Sequence, residues 1–416
     1  MTGLTAAVTA LGMAAALAAC TGPGSDDVTL KLVAADYGDS PANSSQKYWD
    51  RLAAAFEKKN PGIKVDVSVY SWSDVDAKVK KLVADGHAPD MAQIGAYSDY
   101  AARGKLYSAD DLLSIPVQSD FLPQLADAGD VARVQYGMPF AASTRLLFYN
   151  KALFAKAALT PPRTWAELQA DAKVLKARGV KIPYALPLGK EEAQAETMMW
   201  MLSGGSGYTD DVGDYSLDSP QNVKTFDWLK NDLVGEGLTG PTPPGELDRA
   251  AAFAAFTRGD VGMLNGHPTL MRMAAKKGVS FGMVPMPGVD GPARSTMGVA
   301  DWMTAFRQNG HKEQVGKFLD FVYSEKNVLD FSREYDLLPV THSASDAMSG
   351  DPRDQKLSKF LDALPNSQLY PVGKTSWAQV SAGIKREIGT AVGPHGNPGA
   401  TLGSLQRAAD RAENAE

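Results

Sequence analysis

Along the first hundred residues after Val28, the hydrophobic positions switch between two periods. Ile63-Lys64-Val65-Asp66-Val67-Ser68-Val69 alternates apolar with polar residues, the pattern of a half-buried strand. Before it, Tyr48, Trp49, Leu52, Ala53 and Phe56 recur at helical spacing, and Asn60-Pro61-Gly62 closes that helix with a turn. Ser73-Asp74-Val75-Asp76 has the form of a capping box opening a second helix, whose apolar stripe is Val75, Val79, Leu82 and Val83. Pro89–Ile94 reads as a short strand and Tyr97–Arg103 as a helix stopped at Gly104. Strand and helix in alternation predict a βαβ sheet unit, hence an α/β class.

A second region of the same kind begins near Leu146. Leu146-Leu147-Phe148-Tyr149 is a continuous apolar run suited to a buried strand, and Thr164 with Glu167 supplies a cap for the next helix. Helices are predicted near Glu191–Ser203, Gln221–Val234 and Glu246–Phe256, and strands at Val261–Leu264, Val279–Met283 and Met297–Phe306. Val315, Phe318, Leu319 and Val322 mark one further helix; Leu357 to Leu364 and Trp377 to Ile388 mark two more. The chain contains no internal repeat.

Composition narrows the partner. The 416 residues, 44% of them hydrophobic, allow two or three units with their own cores. A formal charge of −6 gives no long-range attraction to phosphate backbones, so a nucleic-acid partner is not expected. The single cysteine, Cys20, excludes an internal disulfide and directly follows the apolar stretch Leu4–Ala19. That stretch is too short to span a bilayer and reads as a signal peptide over residues 1–19. Leu17-Ala18-Ala19-Cys20 looks like a bacterial lipobox, with Cys20 as the lipidated (palmitate-bearing) residue and 20–27 as a tether. Met1–Ala19 has no Lys or Arg, a departure from the usual positive start that points to a start codon placed too far downstream.

Six stretches, in this order and spacing, resemble one family. They are Ala88–Gln93, Tyr136-Gly137-Met138-Pro139, Thr144–Lys151, Pro161–Leu168, Phe256–Met263 and Leu337-Leu338-Pro339-Val340. Each is weak alone; together they resemble the solute-binding lipoproteins of bacterial carbohydrate ABC importers, the branch related to maltose-binding protein. The resemblance implies a two-lobed periplasmic-binding-protein-like fold with hinge crossings and an interlobe ligand cleft. It implies a first lobe of 28–142 and 296–340, a second of 146–295 and 341–416, and crossings near 142–145, 294–297 and 338–341. It also implies a monomer anchored outside the cytoplasm, which binds a mono- or oligosaccharide, hands it to the permease subunits and changes nothing chemically.

A sugar offers C–H faces and hydroxyl rims, so its cleft needs aromatic planes and side-chain donors and acceptors. Strand ends are where open sheets place ligands, which selects Asp36 and Tyr37, then Trp72, then Gln93 and Tyr97. Arg145 sits at a crossing, with a hinge ion pair as its plain structural role. Trp200 is a candidate on a helix whose Met198, Met199 and Met201 read as core; its neighbour Glu196 is another. Asn265-Gly266 stands where the family commonly has Asn-Gly followed by an aromatic platform; here His267 and Pro268 replace that aromatic, and His267 either donates to a hydroxyl or caps the helix. Asp301 and Trp302 pair an acid with a stacking face just after a crossing, and Trp302→Ala is expected to weaken binding with folding retained. Arg333 and Trp377 are further candidates against a buried ion pair and a core indole.

An exported glycoside hydrolase is the enzyme alternative, but 48 acids always nominate carboxylate pairs. No Gly-x-Ser-x-Gly elbow, P-loop or paired metal-ligand histidine spacing occurs, so no cofactor, metal or catalytic residue is expected. A cell-surface adhesin would not need two lobes. Among solutes, a neutral or amino sugar is preferred over a glycerophosphodiester, because basic residues do not cluster at the candidate sites.

Overall fold

The computed structural model describes residues 27–38 and 41–415. The signal peptide, Cys20 and all of the tether except Asp27 therefore lie outside the described residues. No helix among those described is long and apolar enough to cross a membrane.

Two sheets organise the chain. The first is built on β1 (Val28–Ala35), β2 (Ile63–Tyr70) and β3 (Met91–Gln93), with α1 (Ser45–Lys59) and α2 (Val75–Ala84) as the connections. β1 pairs in parallel with β2 from Val28↔Ile63 to Ala35↔Tyr70, and with β3 through Leu32↔Met91. The alternation of β2 follows from this: Val65 is buried while Lys64 and Asp66 face solvent. The helix start at α2 differs from the sequence expectation, for Asp74 is the cap residue and makes no side-chain cap bond. Ser73 instead bonds the Ser71 hydroxyl at 2.7 Å, so the serines stabilise the turn ahead of the helix.

The chain then leaves through β4 (Met138–Thr144), passes Arg145 and enters the second sheet as β5 (Leu146–Asn150). That sheet also contains β6 (Ile182–Tyr184), β7 (Val261–Gly266) and β8 (Phe281–Val284), in the order β8-β5-β7-β6. Between them run α3 (Trp165–Ala177), α4 (Ala193–Ser203), α5 (Arg249–Thr257) and α6 (Pro268–Lys276). The expected cap of α3 is present: the Thr164 hydroxyl accepts from Glu167 N–H at 3.2 Å. Trp165, Trp200 and Trp228 cluster beneath it, with Trp165 and Trp228 stacked at 4.8 Å.

The return is made by β9 (Thr296–Ala305), which pairs antiparallel with β4 and β3 in the first sheet. Its opening residues touch the other crossing: Arg145 N–H donates to the Met297 carbonyl at 3.2 Å, and the Thr296 hydroxyl to the Arg145 carbonyl at 2.6 Å. A third crossing follows α7 (Lys312–Val322) and α8 (Glu325–Tyr335), where Ala142 and Leu338 exchange backbone hydrogen bonds. Residues 342–363 do not go directly to the second sheet. Ser343 bonds Asp120, and Arg333 of α8 holds Asp351 and Asp354, so this stretch packs on the first unit's helices. Its end also reaches the second sheet, where Lys359 donates to the Met283 carbonyl at 2.6 Å and the Phe360 ring lies 6.2 Å from Phe148. The two-residue strand β10 (Ser367–Gln368), α9 (Trp377–Ala391) and α10 (Pro398–Glu413) complete the chain, the two helices packing together on the second unit.

Candidate functional site

β9 runs antiparallel to β4, and their register slips by one residue between Asp301 and Trp302. Neighbouring side chains on a regular strand point to opposite faces; an irregularity of this kind re-aims them. Here both Asp301 and Trp302 line a cavity of about 300 Å³. Trp72, after β2, closes another wall, and Tyr370 and Trp377 face these residues from the second unit. Tyr370 and Trp377 form a stacked pair, 5.0 Å between centroids and 28° between planes. The cavity is thus walled by rings from both sides and has a carboxylate at its edge.

Support for this wall comes from close packing behind it. Trp302 is 3% exposed and rests on Tyr97 at 5.8 Å. Gly137 permits that contact, since a Cβ there would lie 2.5 Å from the Tyr97 ring and 3.0 Å from Trp302. Tyr37 stands behind Trp72, edge to face at 5.3 Å, and Phe331 meets it at 5.0 Å. Burial pushes the Asp301 carboxyl up to about 7, and the nearby Tyr37 hydroxyl opposes the shift. Burial likewise raises the Tyr37 hydroxyl, and the Asp301 charge adds to it.

A second constellation adjoins the first through Tyr370. Burial raises its hydroxyl well above the ordinary tyrosine value, followed in effect by the Glu192 charge, while Arg145 opposes the shift. Arg145, 4% exposed, donates to Glu192 at 2.6 Å, and Arg249 approaches the other Glu192 oxygen at 2.5 Å. Deeper still, Glu196 accepts from Trp200 and Asn265 at 2.9 Å and from the Tyr184 hydroxyl at 3.2 Å. Burial raises Glu196 to about 7, against the lowering effect of Arg145 and these donors. His267 opens α6 without a side-chain cap bond, and its ring lies 5.2 Å from Phe253. Burial first, then Arg145, Arg249 and Arg272, hold it neutral.

The structure therefore brings together Trp72, Asp301, Trp302 and Trp377 around one cavity, with Arg145 and His267 in the neighbouring charged network. The other sequence-selected residues are engaged elsewhere. Gln93 is fully buried and its carbonyl accepts from Ala35 N–H at 3.0 Å, so it ties β3 to β1. Asp36 accepts from Gly38 and Ser45 N–H, which folds the loop after β1. Tyr97 and Tyr37 buttress the indoles. Trp200 is a core ring and Asn265 a Glu196 ligand, both fully or nearly fully buried. Arg333 is consumed by its two aspartates.

Sequence reasoning missed Tyr370, Lys374 and Thr375, which lie on the loop before α9 and line the cavity, as do Asp76 and Asp99. Tyr370-Pro371-Val372-Gly373 follows only a two-residue strand, so the strand-end rule had nothing to act on; an aromatic in a Pro/Gly loop was the available signal. A larger groove of about 970 Å³, between loops 204–211 and 288–295, carries no aromatic side chain. It offers no stacking plane, so the smaller cavity is the better candidate for a ring-shaped solute. Among the described residues, no group of three or more His, Cys, Asp or Glu is placed to hold a metal ion.

Comparison with known proteins agrees with this architecture. The family model for bacterial extracellular solute-binding proteins matches residues 42–329. A putative binding protein of Brucella abortus (strain 2308) is 27% identical over 370 residues, covering 87% of this chain and 89% of that protein. The sn-glycerol-3-phosphate-binding periplasmic protein of Escherichia coli (strain K12) is 27% identical over 320 residues, 71% of this chain and 72% of its own. In three dimensions, the cyclic α-maltosyl-1,6-maltose binding protein of Arthrobacter globiformis superposes with a TM-score of 0.79 at 17% identity, covering 94% of this chain and 100% of that one. That last likeness is one of fold: two lobes about a cleft.

Proposed function

Because this chain belongs to the bacterial extracellular solute-binding protein family, we propose that it is the binding component of a sugar ABC importer. It captures a mono- or oligosaccharide between two lobes that close by hinge motion, then delivers it to the membrane permease. The supporting observation is the cavity with Trp72 and Trp302 on one side, stacked Tyr370 and Trp377 on the other, and Asp301 at its rim. Rings suit the C–H faces of a pyranose, and a carboxylate accepts two hydroxyl donors. Three crossings meet along residues 142–145, where the Arg145 backbone bonds the Met297 carbonyl and the Thr296 hydroxyl and Ala142 bonds Leu338, and these bonds provide a short pivot. Anchorage through lipidated Cys20 and a monomeric state belong to the same proposal.

The Escherichia coli relative's glycerol phosphate makes an anionic solute the rival. The cavity's chemistry disfavours it. Asp76, Asp99 and Asp301 line the space, and the one lysine there, Lys374, is paired with Glu413. A phosphate would meet carboxylates with no free cation to offset them.

A thermal-shift panel of mono-, di- and trisaccharides, with glycerol 3-phosphate as a separate arm, tests this. A ligand bound only by the folded chain stabilises by RT ln(1 + [L]/Kd), so at least one saccharide should raise the melting temperature. A silent saccharide panel with a positive phosphate arm would refute the sugar reading. For the site itself, Trp72→Ala is the informative variant. The ring is 41% exposed, so the melting temperature should hold while affinity for the active saccharide falls by about tenfold or more. Unchanged affinity in calorimetry would remove Trp72 from the site.

A further inference from the structure

The saccharide reading leaves the sugar's chemical class open, and the inference made here rests on that reading and narrows it. Charge and rings occur together around the cavity. Three carboxylates line it, Asp76, Asp99 and Asp301. Lys374 does not balance them: its ammonium bonds Glu413 and lies over the Tyr215 ring, 5.2 Å from its centroid. Asp301 pairs with no Lys or Arg among the described residues. Asp76 accepts from Gly95 N–H at 3.1 Å and likewise has no cationic partner.

Asp76 and Asp99 are exposed and solvated, while Asp301 is half-buried, so a ligand that brings a cation to Asp301 gains an ion pair the free site lacks. The walls favour the same charge. Indole and phenol faces carry negative quadrupole density, which attracts an ammonium more strongly than a neutral hydroxyl. A carboxylate beside such rings forms a short charge-assisted hydrogen bond with N⁺–H.

We propose that the solute is an amino sugar with a free, protonated amine, seated with its ammonium against Asp301 in the cavity that Trp72, Trp302 and Trp377 line. A neutral sugar of the same shape forgoes the ion pair, and an N-acetylated one forgoes it while adding bulk. Asp301 is the specificity-determining residue; the rings contribute to the binding of either kind of sugar.

Three matched series separate the possibilities: glucosamine and its β-1,4-linked di- and trimers, the N-acetylated series, and glucose with cellobiose and cellotriose. They differ only at C2. Titration calorimetry on the full chain should give the free-amine series an affinity at least about tenfold above the others. Asp301→Asn, nearly isosteric, should cancel that preference. Should Asp301→Asn not fold, the unaltered protein supplies the second measurement. The preference should be largest near pH 7, weaken towards pH 5, where Asp301 is protonated, and be lost near pH 9, where the sugar amine is neutral. A neutral or acetylated series that binds as well as, or better than, the free-amine series overturns the inference and leaves the saccharide reading standing. So does a preference that survives both Asp301→Asn and the change of pH. If no saccharide binds at all, the saccharide reading fails and takes this inference with it.

Discussion

Trp302→Ala will lower the free energy of unfolding by about 3–5 kcal/mol, the usual cost of truncating a large buried aromatic ring. The sequence led us to expect a binding defect with folding retained, because an acid beside a tryptophan after a lobe crossing reads as an exposed platform. The structure assigns the ring two roles. One edge lines the cavity, while only 3% of the residue is exposed and the rest packs on Tyr97 over Gly137. Deleting it opens a void between β9 and the β4 approach that backbone cannot fill. Equilibrium denaturation will show the loss directly, and binding by this variant will report folding as much as contact. A variant as stable as the parent would mean that the indole is not packed as described. Trp72, more exposed and resting edge-on against Tyr37, is the ring at which binding and folding separate.

Glu196→Gln will make the protein more stable than the parent at neutral and alkaline pH. Burial holds the Glu196 proton in the folded chain to about 7, above the ordinary value of 4.5. A carboxyl with a raised folded value stabilises the fold fully below its unfolded value, and that contribution is lost as pH rises towards the folded one. The loss is about 3 kcal/mol, at about 1.4 kcal/mol for each pH step. Glutamine keeps an oxygen to accept from Trp200 and Asn265 but has nothing to ionise. The stability difference, variant minus parent, should therefore climb between pH 4.5 and about pH 8. The difference is the proper readout because other groups tilt the parent curve too. Asp301 and Asp171 are raised to about 7, chiefly by burial. His267, held neutral, acts oppositely, since the unfolded chain gains a proton there as pH falls through the usual histidine value of 6.5. A flat difference curve from chemical denaturation across that range would show that Glu196 is ionised at ordinary acidity.

Local pattern was enough for most elements. The period-two run at Ile63–Val69 is β2, the helical stripe from Tyr48 to Phe56 lies in α1, and Thr164 caps α3 as read. These are decided by contacts within a few residues, so a single sequence carries them. The family resemblance followed from six such segments in order, and the family match and the superposed fold agree with it. The capping box at Ser73 was misread because two serines and Asp74 satisfy one another in the turn, a choice between near-equal local hydrogen bonds.

By itself the sequence determined the α/β class, the two regions, and which residue types stand near strand ends. Only the tertiary structure decided which of those residues face a common space. Gln93, Trp200 and Arg333 look as eligible as Trp72 or Asp301 on paper, yet each is consumed by a partner distant in the chain: Ala35, the Trp165–Trp228 cluster, and Asp351 with Asp354. Tyr370, which joins the cavity to the Arg145 network, sits in a loop with no pattern to announce it. Periodicity records which side of an element is buried. It does not record what the buried side meets, because that depends on how two sheets built from separated stretches of chain come to face each other.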